Sequence, residues 1–293
     1  MNRFSIKDIE NLTGVKAHTI RIWEQRYGIL TPKRTSTNIR YYTSDDLKIA
    51  LRIALLNDHG YKISRIHKMN NDEMNAVIHK ITDSDFKLQL VINELLEATL
   101  AMDMDAFEQL INMYQQTYGT ERTIEDLIFQ FLDKIGLMWM TDRMFPAQEH
   151  LASNVVYRKL AVAIESLPPK EFVNAPKILL FLPEGEIHDL ALIYVHYLAL
   201  KHTKNVIYLG PNTPLKEVEY VCEIHDPAYL YLHMTSVVEE FDGNKYLQKL
   251  GKTFAGRKIF VSGSMLRAKK YVPTANMQFL YSLGEVKQVI NSL

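Results

Sequence analysis

The chain is nearly without cysteine. One residue of this type, Cys222, among 293 excludes an internal disulfide and suits a reducing compartment. Also missing is any apolar run long enough to cross a bilayer. The opening "MNRFSIKDIE" is too polar for a secretory signal. These absences predict a cytoplasmic protein with no membrane association. There is no net charge either, with 34 basic and 34 acidic residues. What remains is ordinary globular composition, 47% hydrophobic and 23% charged, and enough length for two or three domains.

The neutral total hides a split. Residues 1–80 hold 14 Lys and Arg against 8 Asp and Glu, leaving 20 against 26 in the other 213. A basic module on an acidic body suggests a polyanion reader joined to something else. Ser5 can cap a helix over "IKDIENL", with Asp8 near its positive end. The glycine of "TGV" permits a tight turn. A second helix then follows over "KAHTIRIWEQRYG". Ile20, Trp23 and Tyr27 form its core-facing stripe, while Lys16, His18, Thr19 and Arg21 lie near its start. This describes a helix-turn-helix. "GILTPKRTSTNIRYYTSDDL" reads as a β-wing whose Lys33, Arg34, Arg40 and Tyr41 could grip phosphates. A further helix follows, with Ser44 as its expected N-cap.

Taken together, "FSIKDIENLTGVKAHTIRIWEQRYGILTPKRTSTNIRYYTSDDL" resembles the winged-helix DNA-binding domain of MerR-type transcription regulators. The resemblance implies a homodimer on palindromic double-stranded operator DNA, with the module spanning residues 1–75.

Residues 82–168 show four helical patterns and no strand pattern. Ile124, Leu127, Ile128, Phe131, Leu132 and Ile135 recur at helical spacing, with Thr120 a possible cap. The others read as 85–99, 104–118 and 147–167, so a four-helix bundle is expected. Trp139 follows the stripe, and Glu149 and His150 open the last helix.

From 176 to 293 strand and helix patterns alternate. "KILLFLP" is apolar on both faces, as in a parallel sheet covered by helices. "NVIYLG", "AYLYLHM", "KIFVSG" and "MQFLYS" continue the series, predicting a doubly wound, flavodoxin-like or Rossmann-like parallel sheet. Ligands in such folds bind beyond the carboxyl ends of the strands, where "PEGEIHDLAL" leaves the first strand. The absence of GxGxxG there argues against a dinucleotide. "HMTS" after the third strand lacks the aspartate of a phosphorelay receiver. Imidazole suits a late transition metal, with a carboxylate on its other nitrogen. Glu186 is near enough to hold His188 in that way. One histidine cannot bind a free ion but can serve as an axial ligand to a metal already held in a macrocycle.

"EIHDLA" resembles the D-x-H-x-x-G motif of cobalamin-binding domains, with Glu186, His188 and Ala191 at its three positions. That implies His188 as the ligand below cobalt. Ser236, Ser262 and Gly263 fall where the family contacts the nucleotide tail. The whole order resembles the adenosylcobalamin-dependent photoreceptor repressors of carotenoid genes. Their bundles cap the upper face of the cofactor with a W-x9-EH signature, here Trp139, Glu149 and His150. The sequence departs from the pattern in Ala191 and Ser262, which replace glycines, and in Met140, which stands where light-sensing members often carry histidine. The resemblance implies a non-enzymatic repressor whose assembly into a tetramer and operator binding follow cofactor and light. Two rivals are a regulator that keeps the fold but responds to a protein partner or another ligand, and a corrinoid carrier for methyl transfer. A methyl carrier has no use for an operator reader.

Overall fold

The computed structural model describes residues 2–168, 176–202, 204–236 and 241–293. Contacts within the chain gather into two units, Met1–Val155 and Val156–Leu293.

In the first unit, helix α1 (Ile6–Thr13) begins with the expected cap at Ser5, which Asp8 completes as a reciprocal capping box. The Ser5 hydroxyl accepts from the Asp8 amide, and Asp8 accepts from the Ser5 amide. Gly14, at φ 75°, ends the helix in the left-handed conformation that glycine adopts at least cost. Helix α2 (Ala17–Ile22) continues into a wider π-helical turn over Trp23–Tyr27. Ile20 and Trp23 are buried and Tyr27 is partly so, as their spacing predicts. Strands β1 (Lys33–Arg34) and β2 (Arg40–Tyr41) pair antiparallel to form the wing. A bridge between Phe4 and Tyr42 ties the wing's base to the start of the chain.

Helix α3 (Ser44–Asp58) is capped one residue earlier than expected. The cap is Thr43, whose extended backbone allows a reciprocal box with Asp46, while Ser44 is already helical. Short helices α4 (Ile63–Ile66) and α5 (Asn71–Lys80) follow, so α5 runs across residue 75.

Helices α6 (Ser84–Ala101), α7 (Met104–Arg122), α8 (Phe129–Met140) and α9 (Pro146–Glu165) give the four helical elements that the periodicity predicts. Between α7 and α8 the helix widens over Thr123–Ile128. The predicted stripe runs through this wide turn, with Ile124, Leu127, Ile128, Phe131 and Ile135 buried and Leu132 partly so. Thr120 caps nothing. The break comes at Gly119 (φ 79°, ψ 169°), and the Thr120 hydroxyl accepts from Gln115 instead.

The second unit holds five parallel strands: β3 (Lys177–Pro183), β4 (Asn205–Thr213), β5 (Tyr229–His233), β6 (Lys258–Ser262) and β7 (Met277–Leu280). Their order is β4-β3-β5-β6-β7. The chain steps from β3 to β4 on one side and returns to β5 on the other. That reversal opens a crevice at the carboxyl ends of β3 and β5. Residues 178–183 of β3 are all buried, which explains a strand sequence with no alternation. Helices α10 (Leu190–Lys201), α11 (Leu215–His225), α12 (Gly243–Thr253), α13 (Met265–Ala268) and α14 (Leu283–Ser292) complete the alternation. No helix among the described residues is long and apolar enough to cross a membrane.

Candidate functional site

The loop leaving β3 turns tightly. The Glu186 amide donates to the Pro183 carbonyl at 3.0 Å, and Gly185 takes φ 84°. Asn212, at the end of β4, clamps the loop. Its side-chain oxygen accepts from the Gly185 amide, and its own amide donates to the Glu186 carbonyl, both at 2.9 Å.

The result is a fully buried Glu186 side chain, 0% exposed. One oxygen, Oε1, accepts from His188 Nδ1 at 2.7 Å and from the His188 amide at 3.0 Å. The other, Oε2, accepts from the amides of Thr235 and Ser236 at 2.8 and 2.6 Å. Burial alone would raise the Glu186 pKa. The bonds from the His188 ring and from three backbone amides outweigh it and hold the carboxyl below its usual range. Glu186 is therefore an anion, and it accepts from Nδ1 of His188, which in a neutral ring makes Nε2 the nitrogen able to bind a metal. The His188 side chain is 51% exposed. Its ring is thus anchored through Nδ1 by a buried carboxylate and remains half-exposed.

Among the described residues no cluster of three or more His, Cys, Asp or Glu could hold a bare metal ion. The donor chemistry fits one imidazole to a metal centre whose other positions are already filled.

Behind the carboxylate lies a polar chain that the sequence did not reveal. The Ser262 hydroxyl meets Tyr231 Oη at 2.5 Å and His233 Nδ1 at 2.7 Å. Ser262 is buried, and its hydroxyl is engaged inside the sheet. Burial pushes His233 down to about 4, against the pull of the Glu186 charge. His196 is likewise held down to about 4 by burial, stacked on Tyr208 at 4.7 Å. Period-two patterns place such side chains on a face but do not say which of them meet.

Gly263 has a local reason to lack a side chain. At φ 117°, an added Cβ would sit 2.1 Å from the Met234 carbonyl oxygen. The closeness lets the Met234 amide pair with the Ser262 carbonyl at 2.9 Å, which positions the adjoining amides of Thr235 and Ser236. Ser236 is exposed and Ala191 partly buried in the first turn of α10.

In the first unit, Trp139 is exposed near the end of α8, and Glu149 and His150 lie in the first turn of α9. His150 Nε2 is 3.6 Å from Glu149 Oε2, with side chains 66% and 26% exposed. Glu149 also accepts from the Ser153 hydroxyl. Met140 is exposed beside Trp139.

The expected DNA-contact residues gather on the head. Lys16, His18 and Arg21 on or beside α2, and Lys33, Arg34 and Arg40 on the wing, are exposed; Thr19 and Tyr41 are partly buried. Lys16 lies 3.3 Å from Glu10, and His18 contacts the Thr19 hydroxyl. Arg34 donates to Asn38 Oδ1 at 2.8 Å across the wing turn. Arg3, 4.9 Å over the Tyr41 ring, adds a cation that sequence spacing did not suggest.

The model of the MerR HTH family regulatory protein matches residues 4–73, the winged helix. That of the B12 binding domain matches residues 91–164, the helices bearing Trp139, Glu149 and His150. The chain thus carries a MerR-type helix-turn-helix domain followed by a region that matches a B12-binding domain. More particularly, the chain is homologous to two Myxococcus xanthus proteins. It is 24% identical over 277 residues to the HTH-type transcriptional repressor CarH, covering 92% of this chain and 91% of that one. It is 24% identical over 223 residues to the repressor CarA, covering 74% and 71%. In fold it is similar to the monomethylamine corrinoid protein of Methanosarcina barkeri, at a TM-score of 0.50 and 14% identity over 70% of this chain and 98% of that one.

Proposed function

We propose that the chain is a cytoplasmic, non-enzymatic transcriptional repressor whose oligomerisation and operator binding depend on adenosylcobalamin and light. The observation that carries this reading is the Glu186–His188 pair, a buried carboxylate bonded at 2.7 Å to the ring of a half-exposed histidine. His188 would hold the cobalt of the cofactor through its ring. Glu186 fixes the ring's tautomer and raises its basicity, and the amides of Thr235 and Ser236 keep Glu186 ionised. Trp139 would cover the upper axial group, with Glu149 and His150 contacting the adenosyl moiety, as the resemblance implies. Ser236 and Gly263 would border the nucleotide tail. Ala191 would narrow its channel compared with glycine, whereas the Ser262 hydroxyl is buried and bonded inside the sheet. When bound, the cofactor supplies a cobalt–carbon bond that visible light can break.

On the head, Arg21, Lys33, Arg34 and Arg40 would neutralise phosphates, and α2 would enter the major groove. Cofactor-dependent assembly of dimers into a tetramer would present several heads together. Linked heads raise operator avidity without new contacts. Light would then bias the equilibrium towards separated species.

Purified apoprotein mixed with adenosylcobalamin in darkness tests the proposal. We expect a visible spectrum that stays with the protein through gel filtration and an earlier elution volume that reverts after green light. No retained absorbance would leave a cofactor-independent regulator in its place. His188→Ala should abolish retention or change the lower-axial spectrum, while shifting the melt of the apoprotein by no more than about 0.5 kcal/mol.

A further inference from the structure

The winged head is held to the bundle by a polar junction that neither DNA contact nor the candidate cofactor residues explain. Arg143 lies in the turn between α8 and α9, and its Nε sits 2.7 Å from Asp8 Oδ2. Asp8 is the third residue of α1 and the acidic half of its capping box, and the same oxygen accepts from the Ser5 amide at 2.6 Å. Its side chain is only 5% exposed.

Neighbouring bonds close the junction. The Asn2 side-chain amide donates to the Arg143 carbonyl at 2.8 Å and to Gln148 Oε1 at 3.1 Å. Gln148 in turn donates to the Leu100 carbonyl at 2.8 Å and accepts from the Phe145 amide at 3.0 Å. Four elements meet here: the first residues of the chain, α1, the end of α6, and the turn into α9.

A capping aspartate needs no cation. Left on the surface, Asp8 would complete its box with Ser5 in water. Burying the carboxylate is unfavourable unless a positive partner is held beside it, so the pair makes sense as a device that fixes geometry. The turn that supplies Arg143 also separates Trp139 from Glu149 and His150. A single twelve-residue stretch, 139–150, therefore carries the candidate upper-face contacts and grips the DNA-reading head.

We infer that Arg143 is a positioning residue. Through Asp8 it fixes the angle of α1, and so of α2 packed upon it, so that head and bundle move as one body. This deepens the reading above and rests on the head being a DNA reader.

The test uses the full chain and a duplex that the wild-type protein selects from random sequence. Its two half-sites are compared with a duplex carrying one half-site alone. Arg143→Met strands a buried carboxylate and is apt to unfold the head. The informative variant is therefore Asp8→Asn with Arg143→Met, which keeps an acceptor oxygen for the Ser5 amide and removes both charges. Given a wild-type melt, it should bind the two-site duplex about ten-fold more weakly and the half-site within two-fold of wild type. Amide exchange in α1 should accelerate, and Arg143→Lys should restore most of the two-site affinity. Unchanged two-site affinity, or equal losses on both duplexes, overturns the inference. A wild-type protein that selects no duplex sinks the DNA-reading head instead, and the role of Arg143 with it.

Discussion

Two glutamate–histidine pairs occupy this chain, and they are built differently. In Glu186 and His188 the carboxylate is fully buried and accepts four hydrogen bonds, three of them from backbone amides. In Glu149 and His150 the residues are adjacent on a helix and 3.6 Å apart, with the glutamate partly buried and the histidine exposed. Neighbours in sequence point to different sides of a helix, so such a pair cannot lock itself. Two residues apart in a loop, the carboxylate can fold back onto the backbone amide and the ring of its partner. The first pair is preorganised by the fold. The second is a pair of accessible groups that a ligand could order. Chemical type is shared; rigidity comes from backbone setting.

The sharpest way to break this contrast is at Gly263. Gly263→Ala forces a methyl group into the Met234 backbone at a positive φ. It should destabilise the α/β unit by about 4 kcal/mol, read in the thermal melt, and should displace the amides that hold Glu186. A mild effect would mean that the cage tolerates movement. Glu186→Ala comes next, with an expected loss of about 3 kcal/mol, because it strands amides that bond a charge.

A smaller effect follows from pH. His233 and His196 are held near 4 by burial, whereas their unfolded pKa is about 6.5. Between those values only the unfolded chain takes up the protons. Stability is therefore full above about pH 6.5 and falls on acidification towards 4, by up to about 1.4 kcal/mol per pH unit for each histidine. Glu186, with its pKa lowered, adds to the loss below the carboxylate range. Melts recorded from pH 7.5 to 4.5 would show the slope; a flat profile would contradict the burial argument. The smallest effect belongs to the helix pair: Glu149→Gln should change the melt by less than about 0.5 kcal/mol.

Much of this architecture was legible beforehand. The strand at 177–183, the Ser5 cap of α1 and the buried stripe along the third bundle helix follow from local patterns, because period, capping chemistry and turn glycines act over a few residues. Local rules also misplaced two caps. Thr43 rather than Ser44 has the extended backbone a cap needs. Gly119 rather than any threonine breaks α7.

The candidate site was half legible. The spacing of Glu186 and His188 suggested their pairing. The amides of Thr235 and Ser236, some fifty residues on, left no trace in it, nor did the His233–Ser262–Tyr231 chain.

By itself, the sequence determined the order of elements, the basic head and the chemical types at each site, since these depend on neighbours within a turn or two. Only the tertiary structure decided that Asp8 meets Arg143, that Glu186 is caged as an anion, and that Gly263 makes room for backbone. Each joins residues far apart along the chain, and only packing, with the burial it imposes, determines which distant groups must find one another.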